Sequence, residues 1–223
     1  MSLEVVGLGK LLQTAYADKA LQKRILRIDL NSERKKAAGH KGGSGPDFYM
    51  PFWADAKQHV MGNLDLNAAT AERIAANPRR TRLYNLLKQN FLMWWEQKRR
   101  LRNEPFSIIQ ENLKARFEVP GRGTLKVENT LAITIGEDGH RIFYPYFCEE
   151  PALSGEAARL GLWVMSQSIK RYDLQDMRML DVIRGKSFST IDTPLLGNEE
   201  TLLNQKYGEV IDAWKALRPD YDF

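Results

Sequence analysis

The chain has 223 residues, with 43% hydrophobic and 27% charged side chains, which places it with water-soluble globular proteins and excludes a fibrous or wholly disordered chain. Its longest apolar stretches, Phe91–Trp95 and Leu160–Met165, are far too short to span a bilayer. No charged stretch leads into an apolar run at the start, so the expected setting is cytoplasmic with no membrane partner.

The net charge of +5 is unevenly divided. Residues 1–122 hold 22 basic and 12 acidic side chains, a balance of +10, whereas residues 123–223 hold 11 and 16, a balance of −5. A basic half can bind an anion, a polyanion or the acidic half of its own chain. Cys148 is the single cysteine, which excludes an intrachain disulfide and a four-thiolate zinc site.

In chain order, apolar residues recurring from Leu8 to Ile28 predict one helix over about residues 4–29. Residues 31–46, with four glycines among Arg34, Lys35, Lys36, His40 and Lys41, read as a mobile loop or linker. Phe48-Tyr49-Met50-Pro51-Phe52-Trp53 reads as an irregular segment packed on the core, with an aromatic platform for a base or peptide as the sharper reading. Asn67–Ala76 reads as a short helix, ended by Asn77-Pro78. A long helix follows over about 79–102, with Leu83, Leu87, Phe91, Trp94 and Leu101 on its apolar stripe. A third helix is expected over Ser107–Phe117, and Pro120–Gly123 marks the change in charge sign.

Beyond that point the period changes from 3.6 to 2. Twelve alternating residues, Thr124–Ile135, predict one strand, and Asp138-Gly139 predicts a tight hairpin into Arg141–Cys148. With those two residues central in the turn, Ile135 faces Ile142, Ile133 faces Tyr144 and Leu131 faces Tyr146. Pro145 suggests an edge or bulge. Ser154 caps a helix to about Lys170, Met177–Ile183 reads as a buried strand, and Asn198 caps a last helix ending near Pro219. The fold class expected is α+β: a basic, mainly helical region 1–122 packed against an acidic mixed-sheet region 123–223, as one compact unit. The sheet is a hairpin, a crossover helix and a third strand, followed by a C-terminal helix.

Gly185-Lys186-Ser187 lacks the earlier glycine of a phosphate loop, since Leu180 stands there. Gly7-Leu8-Gly9 has Leu12 in place of a third glycine, and no strand is expected before it. The three histidines show no metal-binding spacing, and His140 and Cys148 fall at opposite ends of one strand.

Two carboxylates are better candidates. Glu128 shares a strand face with Lys126, and Asp181 sits inside an apolar run where it must be paired, solvated or functional; Arg184, Arg178 and Arg141 are available partners. Carboxylates holding magnesium beside a water-orienting lysine would suit a metal-dependent nuclease or phosphodiesterase. The strand order resembles the core of restriction-endonuclease-like nucleases, but their acid-x-lysine triplet is reversed here as Lys126-Val127-Glu128.

Arg79, Arg80 and Arg82 open the long helix against its dipole and so hint at an anionic partner. Lys98, Arg99, Arg100 and Arg102 suit the negative end of the same helix. Glu149-Glu150 is expected to be solvated or to meet the basic half. The expected function is a non-catalytic interaction module without cofactor. It binds a nucleic acid or an acidic protein surface through Arg79, Arg80, Arg82, Lys88, Arg99 and Arg100. The alternative is the magnesium-dependent hydrolase using Glu128, Asp181 and Lys126.

Overall fold

The computed structural model describes residues 3–39, 48–100, 104–109 and 113–221, the side chains of 98–100 excepted. Strand β1 (Val5–Gly7) leads into helices α1 (Leu8–Tyr16) and α2 (Lys19–Ala37). The helix expected over residues 4–29 is therefore a strand and two helices. Asp18 makes the break: its carboxylate accepts the Leu21 amide at 2.8 Å, capping α2. The segment Asn31–Ala37, expected as loop, continues α2, and its last-turn cations Arg34, Lys35 and Lys36 meet the negative end of the helix dipole. Residues 40–46 of that expected loop lie outside the described residues.

Helices α3 (Tyr49–Val60), α4 (Leu66–Ala76) and α5 (Thr81–Arg100) follow, with a 3₁₀ turn over Pro78–Arg80. The aromatic run is not irregular; it opens α3, and Pro51 falls in the first turn, where no intrahelical donor is needed. It does pack on the core, since Phe52 and Trp53 are fully buried. Of the stripe expected on α5, Leu83, Leu87, Phe91 and Trp94 are buried, and Leu101 lies outside the described residues.

The helix expected over Ser107–Phe117 is replaced by strands β2 (Phe106–Ile108) and β3 (Ala115–Val119). Long-range pairing decides this: Phe106 aligns with Ile135 and Ala115 with Val127. The twelve-residue strand is likewise split into β4 (Gly123–Val127) and β5 (Leu131–Ile135), which belong to different sheets. Asn129 turns the chain between them at φ 66°, a left-handed conformation that asparagine tolerates.

The hairpin partner of β5 is β6 (Gly139–Tyr146), followed by α6 (Gly155–Ser168), β7 (Met177–Asp181), β8 (Lys186–Phe188) and α7 (Glu199–Leu217). One sheet has the order β1-β4-β3; the other has the order β2-β5-β6-β7-β8, with β7 parallel to β6 after the α6 crossover. The α+β class and the hairpin–crossover–strand arrangement are as the sequence implies. The hairpin register is not. Leu131 pairs with Phe143, Ile133 with Arg141 and Ile135 with Gly139, because the loop is Gly136–Asp138, with Gly136 at φ 62°, rather than the two residues Asp138-Gly139. A shift of an odd number of residues exchanges the two faces. Pro145 lies past the last β5–β6 pair, in a central strand rather than an edge.

Both faces of the five-stranded sheet are buried. One carries Ala132, Ile142, Tyr144 and Met179 against Leu8, Leu12, Leu160 and Leu203. The other carries Leu131, Ile133, Phe143 and Leu180 against Phe52, Trp53, Phe91 and Trp94. Each cluster draws residues from both sides of Gly121. No described helix is long and apolar enough to cross a membrane.

Candidate nucleic-acid interface

Asp181 ends β7 with almost no exposure, and its carboxylate is fully engaged. Oδ2 accepts the Leu153 amide at 3.2 Å, Oδ1 accepts the Arg184 amide at 3.2 Å, and the Arg184 guanidinium lies 3.1 Å from Oδ2. Arg184 also reaches the Cys148 and Glu149 carbonyls. These bonds answer the desolvation of a buried carboxylate and make a structural ion pair. The other two suggested partners are used elsewhere: Arg141 pairs with Asp176 at 3.0 Å, and Arg178 donates to the Gln175 and Met177 carbonyls.

Glu128 follows the end of β4 in the three-stranded sheet, on which Lys126 aligns with Gly7 and Arg116, whereas Asp181 ends β7 in the five-stranded sheet. Among the described residues no group of three His, Cys, Asp or Glu side chains could hold a metal ion.

Burial pushes the Cys148 thiol up to about 11, which leaves it protonated at neutral pH. His140 packs edge-on to Tyr172 at the far end of β6. Contrary to expectation, a strand does precede Gly7-Leu8-Gly9. The Gly9 amide is satisfied by the Tyr144 hydroxyl at 2.9 Å. Gly185 of the Gly-Lys-Ser triplet is a turn residue at φ 59°, packed against the backbone of Asn90.

The basic residues at the start of α5 separate into different environments. Arg79 is exposed. Arg80 turns inward, its guanidinium 5.5 Å from the Phe48 ring centroid and 5.4 Å from that of Tyr84. Arg82 binds Glu149, with Nη2 at 2.6 and 2.7 Å from the two carboxylate oxygens. That arginine holds the Glu149 carboxyl below its ordinary range. Glu149 thus meets the basic half, as one of the two expectations for it had it. Lys88 is half-buried farther along α5; the side chains of Arg99 and Arg100 lie outside the described residues.

Around Arg82 the chain gathers aromatic rings. Tyr49, at the start of α3, stacks on Phe147 with centroids 5.3 Å apart, and the Tyr84 hydroxyl donates to the Phe48 carbonyl at 2.7 Å. Phe48, Tyr49 and Phe147 are each half-buried. The starts of α3 and α5 and the end of β6 therefore form one aromatic and arginine-bearing edge.

A second basic surface escapes the sequence reading. On α2, Lys19, Lys23, Arg24, Arg27 and Lys35 are all exposed. Of the acids on that helix, Asp29 pairs with Lys10 at 3.1 Å, and Glu33 is half-buried. Ile28, four residues after Arg24, is also 59% exposed. The signal was present as the i, i+4 spacing of Lys19, Lys23 and Arg27, all inside the helix expected over residues 4–29. No protein-family model matches this chain, and comparison with curated proteins gives no match.

Proposed function

We propose that this chain is a non-catalytic module that binds nucleic acid through its basic helical half. The phosphates lie along the exposed face of α2, and the start of α5 adds further contacts. The observation that carries the reading is the row of exposed cations on α2. Lys19, Lys23 and Arg27 stand four residues apart, rising about 6 Å per step, so consecutive cations can follow a polyanion along one face. Arg24 and Lys35 widen the exposed basic surface, and Ile28 offers an apolar contact beside them.

Phosphate contacts of this kind position a strand without reading its sequence. The test is fluorescence anisotropy with labelled single- and double-stranded oligonucleotides in EDTA over a range of salt. Replacing Lys23 and Arg27 together by alanine should weaken binding on all sequences and shallow the logarithmic salt slope by about two phosphate contacts. An unchanged slope would remove α2 from the interface. The alternative proposal, a metal-dependent hydrolase using Glu128, Asp181 and Lys126, would need Arg184 to release Asp181, and no observed geometry favours it.

A further inference from the structure

We propose that the edge formed by Tyr49, Arg79, Arg82 and Phe147 is a seat for one unpaired nucleotide of a single strand, and that in the free protein the Glu149 carboxylate occupies its phosphate position. This rests on the nucleic-acid reading above and narrows it to single-stranded substrate.

Four features support the seat. The Arg82 guanidinium already holds an oxyanion by two oxygens, a contact that a phosphodiester's non-bridging oxygens can reproduce. The pair is exposed, with the Arg82 side chain 72% and the Glu149 side chain 40% accessible, so exchanging one anion for another needs little desolvation. Arg79 precedes Arg82 by three residues and is exposed beside it, ready for the next phosphate. Tyr49 and Phe147 put stacked rings at the same edge, and a ring can stack on any base.

The exchange moves only a side chain. The Glu149 carbonyl stays bound by Arg184, which itself is fixed on Asp181, so the backbone at the end of β6 is anchored while the carboxylate swings away. The α2 face carries no aromatic residue among its exposed cations and would accept single and double strands alike. The edge is what would favour the single strand, because a paired base cannot present its face to Tyr49.

The experiment is anisotropy with a labelled oligodeoxyadenylate, and with the duplex made from it, on the wild type and four variants. Glu149→Gln should tighten single-strand binding by about two- to five-fold and steepen its salt slope by about 0.7, the increment for one phosphate on a single strand. Glu200→Gln, an exposed acid on α7 that makes the same change in net charge, should do neither. Tyr49→Ala should weaken the single strand more than the duplex, and Tyr49→Phe, which keeps the ring, should recover what Tyr49→Ala loses. Binding in which Glu149→Gln matches Glu200→Gln overturns the seat alone and leaves Glu149 as a tie between β6 and α5. Absence of binding by the wild type at low salt overturns the nucleic-acid reading and the seat with it.

Discussion

Arg82 and Glu149, 67 residues apart in sequence, meet through a guanidinium nitrogen shared between both carboxylate oxygens. The contact joins the start of α5 in the basic half to the end of β6 in the acidic half, so part of the charge asymmetry is neutralised within the chain. Because the pair is largely exposed, its contribution to stability is small and screened by salt. Arg82 lowers the pKa of Glu149, so that contribution is present above the ordinary carboxylate value and is lost as pH falls through the lowered one. A double-mutant cycle of Arg82→Ala and Glu149→Ala, followed by thermal melting, should show a weak coupling at neutral pH that disappears in high salt or acid.

Asp181 should behave oppositely. Removing its carboxylate leaves the Leu153 and Arg184 amides and a guanidinium without their acceptor. A fully buried pair broken this way costs about 3–5 kcal/mol; with the Arg184 side chain 37% exposed, Asp181→Ala should cost about 2–3 kcal/mol in urea unfolding. Asp181→Asn, which keeps an acceptor oxygen, should cost less. A variant as stable as the wild type that loses a metal-dependent cleavage activity would instead restore the hydrolase alternative.

What the sequence made legible is local. The stripe on α5, the Ser154 cap of α6 and the buried strand β7 each lie within one element, where periodicity and caps are sufficient. The Asn198 cap fits only in position. Its side chain makes no capping bond, and the carboxylate of Glu199 instead accepts the Leu196 and Gly197 amides. The hairpin register and the strands β2 and β3 depend on distant partners. Because the central sheet is buried on both faces, either register places apolar residues inside, so alternation could not choose between them. The same limit applies to the candidate site. The cluster Arg79, Arg80 and Arg82 is plain in the sequence, but Phe48 and Glu149, which engage Arg80 and Arg82, come from other elements.

Two turn positions should separate backbone strain from bulk. At Gly185, φ is 59° and an added Cβ would lie 2.6 Å from the Asn90 carbonyl oxygen, so Gly185→Ala should destabilise by more than about 1–2 kcal/mol. Asn129 already tolerates φ 66°; Asn129→Gly should be close to neutral, whereas Asn129→Val should be costly. Gly7 has open space and an extended backbone, which makes Gly7→Ala a mild control. Chemical denaturation of the four variants checks the order.

Alkaline pH should unfold the protein through its buried acids. Burial raises the Cys148 thiol to about 11 and the Tyr144 and Tyr207 hydroxyls to about 12, and pushes Tyr16 and Tyr146 upward as well. The unfolded chain releases these protons first. Stability from the neutral thiol is therefore complete below its ordinary value of 9.0 and falls as pH rises toward about 11. Phenolate absorbance should rise together with loss of helical circular dichroism, and iodoacetamide should label Cys148 slowly at neutral pH until the chain is unfolded. Normal tyrosine titration in a protein that stays folded would contradict this.

The most direct test of the central claim is the salt dependence of single-strand binding, measured by anisotropy in EDTA for the wild type and for Lys23→Ala with Arg27→Ala. The account predicts wild-type binding that weakens steeply with salt and a double variant whose logarithmic slope is shallower by about 1.4, two phosphates' worth on a single strand. No wild-type binding at low salt, or identical slopes for the two proteins, would contradict it.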